Sequence, residues 1–268
     1  MTETFSIQHP DSGVVPIILS VPHCGHHLPD DLAPEYDKHK TAFIDDTDWF
    51  VDQLYSFAPA MGITLLSAKV SRWVIDLNRD PDNKPLYSDG RVITGLCPVT
   101  DFLGDPIYSD KRSAIVPEEL RRRKELYYTP YHSALQELIA ERVATFGKVL
   151  LWDCHSIRQF VPSIRPEKFP DLILGDADGT SASPGLIETS LRNLESSGLR
   201  VNHNHPFKGG YITRHYGNPG DGIHALQLEM TKVHYMDDTE TRWDGARAAR
   251  MQETLKRNFD ELIGELTD

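Results

Sequence analysis

The stretch KVLLWDCHSIR, residues 148–158, sets four consecutive apolar residues before Asp153, Cys154, His155 and Ser156. A short apolar run that follows a glycine, here Gly147, reads as a strand buried on both faces. Side chains alternate along a strand, so Asp153 and His155 share one face and Cys154 points to the other. The stretch is therefore expected to be an inner strand that delivers an acid and an imidazole from its carboxyl end. Cys154 reads as a packed thiol, because neighbours on a strand are badly placed to act as a nucleophile and its base.

Working outward, strand-like and helix-like segments alternate. VVPIILSVPH (14–23) reads as a buried strand ending at His23, DDTDWFVDQLYSFAPAMG (45–62) as a helix, and ITLLSAKVSRWVIDLNR (63–79) as two strand-like pieces around Ser71. A Pro/Gly-rich excursion from Asp80 to Pro117 leads into the longest helical pattern, 117–147, with a break expected near Pro130. DLILGD (171–176) and HALQLEM (224–230) are the later strands, 184–198 is a helix and 240–266 the closing helix. This order predicts an α/β three-layer sandwich with a mixed, largely parallel central sheet, built as one domain over residues 1–268.

Composition narrows the function classes. The 268 residues contain no apolar run of the roughly 18 needed to cross a membrane. With 40 acidic against 28 basic residues, the net charge of −12 offers no attraction to phosphate backbones, so neither a nucleic-acid nor a membrane partner is expected. The first residues lack the basic region and apolar core of a secretory signal, and three cysteines cannot all pair, so a reducing cytoplasm is expected. A small acidic substrate remains compatible, since a few pocket arginines outweigh a distant surface field. Oligomeric state leaves no mark in the sequence.

In open α/β sheets ligands gather beyond the carboxyl ends of the strands, where this chain concentrates its reactive side chains. His23 is a candidate metal ligand, and Gly25 would let the backbone turn closely about a ligand. His26 and His27 read as loop-surface residues. His155 is a second ligand candidate, with Asp153 placed to fix its tautomer. IDDTDW (44–49) offers either a ligand carboxylate or a helix cap. SRWVIDLNRDP (71–81) offers Arg72, Asp76, Asn78 and Arg79, of which the guanidiniums could supply forked donors to a carboxylate and Asn78 a further hydrogen bond. Arg214 and His215 lie in a Gly-rich segment that reads as a lid able to carry Arg214 to an anion. Glu229, set in an apolar strand, needs a partner or a metal nearby and is the leading general-base candidate.

SVPHCG, DDTDW, SRWVIDLNR, WDCHSI, GGYITRHYG and QLEM, in this order between residues 18 and 236, resemble the N-formylglutamate amidohydrolase family. That family is distantly similar to the zinc carboxypeptidases, which implies a phosphorylase/hydrolase-like core and a zinc ion held by two histidines and a carboxylate. The resemblance places His23 and His155 as the imidazole ligands. The carboxypeptidase pattern has Glu three residues after its first ligand, where this chain has His26, so Asp46 is expected as the carboxylate, with Asp48 second. It further implies Asn78, Arg79, Arg72 and Arg214 at substrate carboxylates, Glu229 as the base and Asp153 behind His155. The implied reaction is hydrolysis of N-formyl-L-glutamate to formate and L-glutamate, at the end of a route of histidine breakdown. Alternatives are an amidohydrolase for another acyl group, a carboxypeptidase-like enzyme, or a non-catalytic small-acid-binding protein; a site of this composition also accepts other divalent ions.

Overall fold

The computed structural model describes residues 3–11, 13–85 and 94–267. The middle of the Pro/Gly-rich excursion, 86–93, lies outside the described residues. Seven strands form one sheet in the order β1-β3-β2-β4-β7-β5-β6: β1 Phe5–Gln8, β2 Ile17–Val21, β3 Thr64–Ala68, β4 Val149–Ile157, β5 Leu172–Gly175, β6 Val201–His203 and β7 Ile223–Thr231. The sheet is mixed and largely parallel: only β1–β3 and β5–β7 pair antiparallel.

β4 is the central strand and is buried along its whole length. Leu150, Trp152 and Cys154 enter an apolar cluster on one face, and Val149 and Leu151 enter the cluster on the other. The first cluster is closed by the helices Val51–Leu54, Pro184–Glu195 and Gly245–Thr267. The last of these buries Ala248, Met251, Leu255, Phe259, Leu262 and Leu266, the three-to-four spacing of an amphipathic helix. The second cluster is closed by Thr129–Phe146 and Tyr211–Tyr216, completing the three layers. No helix among the described residues is long and apolar enough to cross a membrane.

The differences from expectation are local. Residues 45–62 hold only the helix Val51–Leu54 and a 3-10 turn, Pro59–Met61, because Phe50 enters the left-handed region (φ 64°) and a helix cannot run through it. The second half of 63–79 is buried but forms no strand, while β1 and β6 are short strands that carried no apolar signal. The long helix does change character before Pro130: Pro117–Arg123 passes into a π-helical turn, Lys124–Tyr128, and then Thr129–Phe146. Proline lacks the N–H that would continue the regular ladder, and a widened turn accommodates that gap.

The chain leaves β2 for β3 on one side and later places β4 on the other side of β2. The connections diverge at this point, opening a crevice beyond the carboxyl ends of β2 and β4. His23 follows β2, and His155 lies near the end of β4.

Candidate metal centre and active site

Parallel register places His155 opposite Glu229 and Asp153 opposite Gln227, so these four side chains share a sheet face. His23 comes over from the adjoining strand end. Its loop is held close to the sheet because Gly25 lies against Lys69 and Val70, where an added Cβ would sit 2.5 Å from backbone atoms. Gly25 thus allows a close approach to the protein's own backbone rather than to a ligand.

His23 Nδ1 and His155 Nδ1 are 3.2 Å apart. Asp48 Oδ2 lies 3.2 Å from the His155 nitrogen and 3.8 Å from that of His23. All three residues are buried. The far nitrogen of each ring meets a carboxylate: His23 Nε2 donates to Asp76 Oδ1 at 2.7 Å, and His155 Nε2 lies 3.0 Å from Asp153 Oδ2. The Asp76 bond puts the His23 hydrogen on Nε2 and turns its Nδ1 lone pair toward Asp48, and Asp153 favours the same arrangement of His155 when that ring is neutral. Two imidazoles and a carboxylate converging in this way, each ring oriented by an acid from behind, form the donor set that a zinc-like divalent ion takes. Ligand atoms of His23, Asp48 and His155 all lie within 4.8 Å of one another.

The order of the two carboxylates is therefore reversed from expectation. Asp46 accepts from Trp73 Nε1 at 2.9 Å and from the Phe102 N–H at 3.2 Å, away from the histidine pair. Asp48 reaches the pair because its N–H donates to His23 O at 2.9 Å, which pins the turn against the His23 loop. Neither acid caps the following helix through its side chain.

Electrostatics separates the two imidazoles. Burial, reinforced by the Arg72 guanidinium, lowers the His23 pKa to about 4 against the opposing pull of Asp76. Burial also disfavours a charged His155, yet Asp153 and Asp48 together hold its pKa well above the ordinary value. Asp76 would be raised by burial, but Arg72, Arg79 and His23 keep it well below the usual carboxylate range. Asp76 was visible in the sequence but carried no assigned role; its signal was an acid within the apolar segment just before Asn78 and Arg79.

Asn78 is committed to the protein rather than poised for a substrate carboxylate. Its Oδ1 accepts from the Ile212 N–H at 2.7 Å and its Nδ2 donates to Asp153 Oδ2 at 2.9 Å. The same amide nitrogen lies 2.9 Å from His155 Nε2, making Asn78 a positioning residue beside the His155–Asp153 pair. Gly210 packs so closely on Asn78 that an added Cβ would lie 2.3 Å from Nδ2. Arg79 holds Thr94 through Nε and Nη2 and lies 3.7 Å from Asp76 Oδ2. Arg72 is buried, donates to Asp76 Oδ2 at 2.7 Å and lies over the Phe102 ring at 4.7 Å. Arg214 is exposed, with Nε donating to Gly209 O at 2.9 Å.

Glu229 is 9% exposed, and its carboxylate accepts no hydrogen bond from the described residues. Burial raises its pKa to about 8; His155 and Arg72 pull it down, and Asp48 adds to the rise. A carboxylate beside a candidate cation site, with a pKa displaced toward neutrality, has the properties of a general base.

The family model for N-formylglutamate amidohydrolase matches residues 15–236. An N-formylglutamate deformylase from Pseudomonas putida is 40% identical over 232 residues, covering 85% of this chain and 84% of the relative. The protein of the same name from Pseudomonas aeruginosa is 41% identical over 231 residues, 84% of each chain. A crystal structure of N-formylglutamate amidohydrolase from Ralstonia eutropha JMP134 superposes with a TM-score of 0.82 at 27% identity, over 98% of both chains. A protein from Agrobacterium tumefaciens shares the fold, with a TM-score of 0.72 at 20% identity over 97% of this chain and 96% of its own. The matched region contains every residue of the histidine–carboxylate cluster, and the chain belongs to the N-formylglutamate amidohydrolase family.

Proposed function

We propose that this chain hydrolyses N-formyl-L-glutamate to formate and L-glutamate, using a divalent cation, best matched by zinc, held by His23, Asp48 and His155. The observation that carries the metal reading is the convergence of two Nδ1 lone pairs and a carboxylate oxygen within 4.8 Å, with Asp76 and Asp153 behind the rings. The substrate reading is supported by the names of relatives at 40% and 41% identity. When bound, such an ion supplies Lewis acidity, which polarises a carbonyl and lowers the pKa of water from about 15.7 toward about 7.

Glu229 takes the proton from the attacking water and returns it to the leaving amine nitrogen. Its lack of a hydrogen-bond donor among the described residues leaves its lone pairs available for that transfer, and burial displaces its pKa upward, toward the range in which a carboxylate both takes and returns a proton. Arg72 holds positive charge close to the reacting carbonyl, where oxyanion character develops. Asp76 and Asp153 keep both rings in the Nε2–H tautomer, and Asn78 keeps Asp153 in place. Formate and glutamate leave as separate anions, and we read the reaction as the close of a route of histidine breakdown, as the family resemblance implies.

The test is Glu229→Gln, which keeps shape and removes the base. Retained metal with turnover reduced by about 10²- to 10⁴-fold is expected. Normal turnover would remove Glu229 from the mechanism.

A further inference from the structure

Lys232 lies just beyond β7, three residues after Glu229, and is 2% exposed. Its ammonium can donate three hydrogen bonds, yet among the described residues it makes one, to Asp45 O at 3.0 Å, and no ion pair. The neighbouring carboxylates are already engaged. Asp45 and Glu240 are bridged by Arg158, with Nε–Oδ1 at 2.5 Å and Nη1–Oε2 at 3.2 Å, and Glu240 also accepts from the Gln159 N–H at 2.7 Å. Asp48 faces His155 and accepts from the Ser156 N–H at 3.3 Å. The carboxylates of Asp48, Asp45 and Glu240 act on this ammonium without touching it while burial disfavours its charge, so a carboxylate in direct contact would stabilise it.

Lys232 lines a cavity of about 330 Å³ whose apolar walls include Phe102, Leu103, Ile157, Phe160 and Val161. Ser156, next to His155, also lines it, so the cavity adjoins the histidine–carboxylate cluster. Asp45 and Asp46 are in the wall as well, with oxygens accepting from Arg158, Trp73 and the Phe102 N–H. Arg72 lies over the Phe102 ring. Two cations thus flank the space, Arg72 on the side of the cluster and Lys232 in the cavity.

We propose that Lys232 anchors the side-chain carboxylate of an N-acyl acidic amino acid in this cavity, an assignment that rests on the amidohydrolase reading. The α-carboxylate is one carbon from the amide nitrogen and must stay near the reacting centre. The side-chain carboxylate extends beyond it and requires a second cation. Apolar walls suit the intervening methylenes, and their low polarity strengthens a charge pair at the far end. Arg158 lines the same cavity, but Asp45 and Glu240 neutralise it.

The experiment compares wild type, Lys232→Met and Lys232→Gln on N-formyl-L-glutamate and on N-formyl-L-glutamine, its near-isostere with a neutral side chain. The glutamine variant can still donate to the Asp45 carbonyl, which separates support of that loop from charge. Both variants are expected to raise KM for N-formylglutamate about 10- to 100-fold, the range for a lost charge-assisted hydrogen bond, and to leave KM for N-formylglutamine nearly unchanged. An equal loss on both substrates, or no loss on either, would overturn the assignment. Calorimetry with glutarate and butanoate separates this claim from the reaction itself. Glutarate should bind wild type more tightly than butanoate, and the difference should vanish in both variants. A difference that persists without Lys232 refutes the anchor even if turnover is normal. A Lys232-dependent difference in a protein that releases no formate upholds the anchor and refutes the amidohydrolase reading.

Discussion

Replacing Asp76 with Asn tests whether the second row of residues builds the centre. Asp76 is fully buried; its Oδ1 accepts from His23 Nε2 at 2.7 Å and from the Asn78 N–H at 2.9 Å, and its Oδ2 accepts from Arg72 Nη2 at 2.7 Å. In Asp76→Asn the amide oxygen can still accept from His23, but the NH2 group then faces the Arg72 guanidinium, donor against donor. Breaking one side of a buried ion pair costs about 3–5 kcal/mol, a large part of a net stability of about 5–15 kcal/mol. Loss of the acid behind a ligating imidazole weakens metal binding by about 10- to 100-fold. That loss corresponds to about 1.4–2.7 kcal/mol. Thermal melts of chelated protein measure the first quantity, and zinc competition against a chromogenic chelator measures the second, with Asp46→Asn as the control. A folded Asp76→Asn protein that binds zinc as tightly as wild type would refute the orienting role.

Asp48→Asn should lower zinc affinity by more than about 100-fold, beyond the effect of losing a supporting acid, whereas Asp46→Asn should retain zinc; the opposite ranking by metal analysis would return the ligand to Asp46. His132 is buried, donates from Nε2 to Leu77 O at 2.9 Å, accepts at Nδ1 from Tyr216 OH at 2.9 Å, and burial lowers its pKa to about 4. The unfolded chain therefore binds that proton first as pH falls; the stabilisation is full above about pH 6.5 and is lost toward pH 4, at most about 3 kcal/mol. Urea unfolding of His132→Gln should show a flatter pH profile over that window, and an unchanged slope would contradict the assignment. Cys154 is fully buried in the cluster opposite His155, and burial pushes its thiol well above the ordinary value. Cys154→Ala should retain turnover and lose about 1 kcal/mol of stability, and abolished turnover in a folded variant would reinstate a reactive thiol.

The sequence makes the inner sheet legible because β4 begins as a continuous apolar run that ends in polar residues, and β7 sets Ala225, Leu226, Leu228 and Met230 among its few polar positions. Alternation alone separates Asp153 and His155 from Cys154. The choice between Asp46 and Asp48 is different in kind: it depends on the Asp48 N–H bond to His23 O and on the left-handed turn at Phe50, neither of which has a periodic signature. The segment after Ser71 resembles a strand in composition, but its buried irregular path is set by contacts such as Asp76 with His23 and Arg72. Asn78 keeps its place near the centre while its role changes, because the partners of an amide are fixed only in three dimensions. Lys232 gives no sequence signal, since a lysine after a strand is ordinarily solvated; its burial and the engagement of Asp45, Asp48 and Glu240 with other partners distinguish it.

The proposed reaction is metal-dependent release of formate from N-formyl-L-glutamate at the His23–Asp48–His155 centre. Its most direct test is formate production by the protein as purified, after exhaustive chelation, and after restoration with one equivalent of zinc. Activity, its loss on chelation and its return with zinc are expected of that reaction, with no return in Asp48→Asn. Full activity in the chelated protein, or no formate at any metal load, would contradict it.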